Sequence, residues 1–229
     1  MLAIIDYRSS KIAIEKLAKI ADDILLFKTQ NITYNSISCH PDIFVHQDSE
    51  NLIIAPNSPK KLFDFLKKHN LKFQIGIKNI GSDLENSVLY NCIATNDLFL
   101  HKLNFTDESI LNVNSHKKFI NIPQAYTRCS LIHIGNNVFI TSDKGIENEL
   151  KKNDLSCFYF SPNEIKIIEH KNGFLGGTCG IFKHRIFFNG NIFKHENGLE
   201  LASFLEKHKL EIVCLHDDFL YDGGGIFFF

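Results

Sequence analysis

The chain has 229 residues, of which 44% are hydrophobic, and a formal charge of -1. That length can bury a sizeable core, and the lysines and glutamates are interspersed instead of gathered in a basic stripe, which excludes an electrostatic footprint for nucleic acid. No apolar run approaches the roughly 20 residues of a membrane span and no basic segment precedes one at the start, so a soluble, cytoplasmic chain with no membrane partner is expected.

No Ser/Gly-rich or charge-rich linker divides the chain, and one domain over residues 1–229 is expected. The first stretch, MLAIIDYR, reads as a strand. Ser9 or Ser10 then caps a helix whose apolar residues Ile12, Leu17, Ile20 and Ile24 follow helical spacing. The next unit, DIFVHQDSENLIIAPN, reads as a hairpin. Ser58-Pro59 opens its helix, and LFDFLKKHNLKFQIG carries the chain through that helix into an exit strand. A third unit has a hairpin over Ser87 to Lys102, turning at Thr95-Asn96-Asp97, and a short helix over Thr106 to Lys118.

The fourth unit is the most complete. Ser130 to Ile134 and Val138 to Thr141 are β-branched strands around the turn Gly135-Asn136-Asn137. Asp143 stands as N-cap before Ile146 and Leu150, and Leu155 to Phe160 is the exit strand. The same order returns from Cys179 to Cys214. There Leu201, Phe204, Leu205, Lys207, His208 and Leu210 match Leu62, Phe65, Leu66, Lys68, His69 and Leu71 in order and without a gap, which makes repetition the better reading than shared composition. Asn57, Asp143 and Asn191 occupy equivalent helix starts and are expected to cap. The first unit lacks half its hairpin, and Gly225 to Phe229 can supply it, closing five units into one body without open sheet edges.

The six cysteines are too sparse for a disulfide scaffold and are expected to be reduced. Cys157 and Cys214, in apolar exit strands, read as small buried hydrophobes. Cys129 and Cys179 each follow a polar turn at the start of a hairpin, where a core thiol and a functional one are equally compatible. The scattered histidines lack the spacing and neighbouring ligands of a zinc site, and no turn carries the Gly-x-x-x-x-Gly-Lys phosphate loop, so neither metal nor cofactor is expected. Two clusters stand out. In Cys39 to Gln47, read as a strand, Asp42, Phe44 and His46 share one face by period two. Before the final apolar run, Asp222-Gly223-Gly224-Gly225 lets backbone approach a ligand or another backbone closely.

Five such units, with PDIFVHQ early and DGGGIFFF late, resemble the penteins, the guanidino-group-modifying enzymes, and in particular an uncharacterised bacterial branch of that fold. The resemblance implies an α+β, five-bladed pseudo-fivefold α/β-propeller. It also implies a cysteine after the last glycine run as nucleophile, a histidine from the preceding repeat and carboxylates for the cationic nitrogens. This sequence departs from that pattern twice: Ile226 and three phenylalanines follow the glycines, and Gly176-Gly177-Thr178-Cys179 stands where the histidine is expected.

Three functions follow. The first is binding of a small polar or cationic, guanidino- or amino-acid-like ligand in an axial pocket through His40, Asp42, Arg128, Asp222 and Gly224. The second is a hydrolase with Cys129 or Cys179 as relocated nucleophile and His40 or His46 as base. The third is an interaction scaffold. A thiol beside an imidazole in one cleft favours the hydrolase, and two buried thiols favour binding.

Overall fold

A computed structural model describes residues 1–229. Five three-stranded sheets run along the chain, and in each the central strand pairs antiparallel on one side and parallel on the other. The first unit holds β1 (Leu2–Asp6), α1 (Lys11–Ala18) and β2 (Asp23–Phe27). The second holds α2 (Pro41–Phe44), β3 (Val45–Gln47), β4 (Leu52–Ile54), α3 (Lys60–Lys68) and β5 (Gln74–Ile75). In the third come α4 (Leu84–Ser87), β6 (Ile93–Ala94), β7 (Leu98–His101), α5 (Glu108–Val113) and β8 (Lys118–Asn121). The fourth is α6 (Thr127–Ser130), β9 (Leu131–His133), β10 (Val138–Thr141), α7 (Lys144–Lys152) and β11 (Ser156–Tyr159). The fifth is β12 (Cys179–Phe182), β13 (Arg185–Phe188), α8 (Gly198–Lys207) and β14 (Glu211–Cys214), after which β15 (Phe227–Phe228) returns to β1.

The central strands β4, β7 and β10 are buried along their whole length, which is why LII, LFLH and VFIT are runs and not alternations. Each helix closes its unit with one apolar stripe. Leu62 and Leu66 on α3, Ile146 and Leu150 on α7, and Leu201 and Leu205 on α8 are all fully buried, each side chain contributing roughly 1.5–3 kcal/mol. The residue-for-residue match between the second and fifth units thus marks the same packing face. β15 lies antiparallel to β1, with Ala3 opposite Phe228 and Ile4 opposite Phe227, so the two ends of the chain share one sheet as expected.

Several local expectations are corrected. Pro41–Phe44 and Thr127–Ser130 are single helical turns and not strand beginnings. In the first of these, Pro41 supplies the fixed φ and missing amide that suit a first helical position. Asp42 and His46 therefore do not share a strand face. Ile24 lies in β2, because α1 stops at Ala18, and Lys118 opens β8 instead of ending a helix. Of the three expected caps, Asp143 accepts the Ile146 amide at 2.9 Å, while Asn191 caps a short 3-10 turn over Ile192–Lys194. Asn57 does neither: its amide bridges to the Ile80 backbone, at 2.9 Å to both N and O. No helix is long and apolar enough to cross a membrane.

Candidate functional site

The one-turn helices that open the hairpins deliver side chains to the middle of the molecule. Asp42, from α2, is fully buried. Its Oδ2 accepts from Cys129 Sγ at 2.9 Å and from an Arg128 guanidinium nitrogen at 3.4 Å, both on α6. Asn91 locks this contact: its Nδ2 donates to Cys129 Sγ at 3.1 Å and to the Asp42 carbonyl at 3.2 Å, and its Oδ1 accepts the Cys129 amide at 3.2 Å. Arg128 also donates to the Gly224 carbonyl at 3.3 Å, and its guanidinium lies 4.1 Å from the centre of the Phe227 ring. Gly224 and Gly225 have φ of +73° and +76°. A Cβ on the first would strike His40 and one on the second the Arg128 guanidinium, so both the conformation and the close approach require glycine here.

Behind this pair sits a second set of buried charges. Asp222 accepts the amides of Phe174 at 2.8 Å and Gly224 at 3.1 Å. His40 lies between Asp222 at 3.8 Å and Asp6 at 3.9 Å, outside hydrogen-bond range of either, and both its ring nitrogens lack a partner. Burial, followed by the nearby Arg8, pushes the His40 imidazole down to about 3, so it is neutral. Burial pushes the Asp222 carboxyl up to about 7, with the Asp42 and Asp6 charges adding to it. Burial likewise raises Asp6 against the Arg8 guanidinium, and raises Asp42 against Arg128 and Cys129.

Two cavities flank this plug. One, of about 400 Å³, is lined by Gln47, Asp48, Cys92, Thr95, Arg128 and Cys179 among others. The other, of about 710 Å³, has Tyr34, His40, Tyr126, Cys129, Phe174 and Asp222 on its walls. The residues expected to form one pocket are thus divided: Arg128 and Cys179 face the first cavity, His40, Cys129 and Asp222 the second, and Asp42 and Gly224 lie buried between.

Neither candidate thiol bonds to an imidazole. Cys129 contacts Asp42 and Asn91, and Cys179 has only the Gly176 carbonyl at 4.0 Å. Burial, followed by the Asp42 charge, raises the Cys129 thiol well above the free-cysteine range, and burial pushes Cys179 up to about 12. The two are also not equivalent. Cys179 is the first paired residue of β12, matching Leu131 of β9, and Cys129 lies two residues before that point. His46, expected to serve one of them, instead faces Cys92 at 3.2 Å and Asp48 at 3.4 Å. Cys92, Asp48 and Asn91 are missed by sequence reasoning. The signal available was that Cys92 sits just ahead of its hairpin strand, as Cys129 does. No three His, Cys, Asp or Glu side chains come together as a metal site.

No curated protein matches the chain in sequence. Among solved structures, an agmatine deiminase from C. jejuni is similar with a TM-score of 0.58 at 12% identity, covering 93% of this chain and 74% of that one. A Pseudomonas aeruginosa dimethylarginine dimethylaminohydrolase mutant complexed with citrulline has a TM-score of 0.54 at 8% identity, covering 93% and 91%. An amidinotransferase from Microseira wollei, of the saxitoxin biosynthetic pathway, has 0.56 at 8% identity, covering 93% and 87%. These neighbours are pentein-fold enzymes, so the five small sheets are a pentein fold. With residues 4–227 matching its profile, the chain belongs to the family of unknown function DUF6873.

Proposed function

We propose that the five units stand about one axis as a five-bladed propeller in a single domain, and that the chain binds a small amino-acid-like molecule with a cationic or guanidino tail in the cavity of about 400 Å³. The observation that carries this is the partly exposed Arg128 guanidinium on its wall, with the polar side chains Thr95 and Asn96 lining the same cavity. A guanidinium side chain pairs with a planar carboxylate, which an amino-acid-like ligand supplies, and the polar side chains on the same wall can accept hydrogen bonds from its tail. The volume suits a metabolite of that size. Asp42, Gly224 and the Phe227 ring hold Arg128 from behind, while Asp222 and the neutral His40 line the other cavity. The similar hydrolase structure holds citrulline, an amino acid with a planar, uncharged ureido tail, which supports the amino-acid-like half of this reading. Where penteins carry a cysteine after the glycine run, this chain has Ile226 and Phe227, which supports binding without that nucleophile. All six cysteines are free thiols, which supports a reducing compartment such as the cytoplasm.

Isothermal titration with L-arginine and with agmatine, the same molecule without its carboxylate, tests the reading. L-Arginine is expected to bind, with agmatine weaker by at least about tenfold because it leaves Arg128 without an anion. Equal affinities, or no heat with either, contradict it.

A further inference from the structure

The His46 contact supports a catalytic site that differs from every cysteine arrangement anticipated above. β3 places His46, a tight turn follows it with Asp48, and Cys92 comes from the next unit, one residue before β6. The three side chains form a chain of contacts, Cys92 Sγ to His46 Nδ1 at 3.2 Å and His46 Nε2 to Asp48 Oδ2 at 3.4 Å. Asp48 is itself fixed: its carboxylate accepts the amides of Glu50 at 2.8 Å and Asn51 at 2.7 Å and both its oxygens take the Asn51 side chain at 3.2 Å. Burial opposes its ionisation. The His46 hydrogen bond and those amides outweigh the burial and hold the carboxyl below its usual range.

An ionised carboxylate only accepts hydrogen bonds, so the proton on His46 belongs on Nε2 and the lone pair on Nδ1, directed at the thiol. That is the tautomer a general base needs, held by its acid partner. Cys92 and Asp48 both line the cavity that Arg128 enters. Burial, with the Asp48 charge next, raises the Cys92 thiol well above the free-cysteine range. The resting sulfur is therefore protonated and gives up its proton only as it attacks.

We infer that Cys92 is a nucleophile with His46 as its base and Asp48 as the residue that positions the base, acting on a small carboxylate-bearing molecule whose trigonal carbon carries an amine leaving group. The S–H proton passes to His46 Nδ1 as the sulfur bonds to the carbon. The C–N bond then breaks and the same proton leaves with the amine. Water next gives a proton to His46 while its oxygen attacks the carbon, the C–S bond breaks, and the thiol takes the proton back. The net change is hydrolysis, with no oxidant or reductant. The proposal shares the cavity and Arg128 with the binding reading, on which its substrate class rests, but its chemistry stands on Cys92, His46 and Asp48.

Alkylation by iodoacetamide, followed at individual cysteines by peptide mass spectrometry, tests it on the native protein. Cys179 is the internal control, because it faces the same cavity and has no imidazole. Cys92 is expected to react at least about tenfold faster than Cys179, and His46→Gln or Asp48→Asn to remove that advantage while circular dichroism stays native. Equal rates at the two thiols in the wild-type protein overturn the proposal. So does a Cys92 rate unchanged in a folded His46→Gln variant. Since no ligand is used, failure here leaves the L-arginine experiment unaffected, and failure there leaves this one.

Discussion

Cys129 and Cys92 are both buried, both precede a hairpin strand, and burial raises both thiols, yet they face opposite chemistry. Cys129 donates to the Asp42 carboxylate at 2.9 Å. Ionising it would set two negative charges in contact, so the thiol is held as a fixed donor. Cys92 meets an imidazole nitrogen, which can take the proton and become positive as the sulfur becomes negative. The reactivity of a buried thiol is decided less by its depth than by whether its neighbour can hold a proton.

Three experiments sharpen that contrast. The largest effect is expected at Arg128, the counter-charge that Asp42 shares with Cys129. Arg128→Leu leaves a buried carboxylate without its cation and should cost about 3 kcal/mol or more at neutral pH. Because Asp42 can escape by taking up a proton, the loss should shrink in acid, and Asp42→Asn/Arg128→Leu should recover most of it. Urea denaturation of the two variants measures this, and no recovery in the double variant contradicts the pairing.

The thiols themselves come next. Cys129→Ala removes a donor from a buried carboxylate and should cost about 1–3 kcal/mol. Cys92→Ser keeps a donor toward His46 and should cost less than Cys129→Ala. Thermal denaturation showing the reverse order would mean that the Asp42 contact is incidental.

The last effect is a pair of slopes, small at any one pH step. The folded state holds His40 down to about 3 and Asp222 up to about 7. Between the ordinary values of 3.8 for the acid and 6.5 for the imidazole, unfolding adds a proton to His40, so this residue makes stability rise with pH. Unfolding releases a proton from Asp222, so that residue makes stability fall over the same window. The raised carboxyls of Asp6 and Asp42 act in the same direction as Asp222. Relative to wild type, Asp222→Asn should tilt the stability profile upward with pH and His40→Gln downward, each by up to about 1.4 kcal/mol per pH unit. Urea midpoints across the window read the tilt, and slopes of the same sign in both variants contradict the assignment.

The units are legible in the sequence because their signals are local. The Leu62 to Leu71 passage and its copy at Leu201 to Leu210 encode a whole helix face and its exit, and Asp143 announces its helix by chemistry alone. The turns at Pro41–Phe44 and Thr127–Ser130 are not legible in the same way. Four residues are too few for a periodic pattern: Asp42, Ile43 and Phe44 read equally as strand, and Thr127-Arg128 as a polar turn. That error propagated to the site, since Asp42 and His46 shared a face only if the segment was extended. The deeper loss is of pairing across units: nothing near Cys92 in the sequence names His46, and nothing near Asp42 names Arg128, because each pair is made by how separate sheets stand against one another. The residue types at the centre were nevertheless visible, since Asp42, Arg128, Cys129 and the Gly224 turn do meet, although His40 and Asp222 open to a different cavity from Cys179.

The return of β15 to β1 bears on the order of assembly. The four later units each draw their strands from one continuous stretch, so their sheets can form as that stretch is completed, with loop closures of modest length. The first sheet is different: its β1–β2 half can dock early, but its third strand follows all four other units in the sequence. Gly224, which receives the Arg128 hydrogen bond, and Phe227, over which that guanidinium lies, arrive with it. The charge cluster is therefore completed after the other four sheets, and until then the first sheet carries an unpaired strand edge and Arg128 lacks its Gly224 and Phe227 contacts.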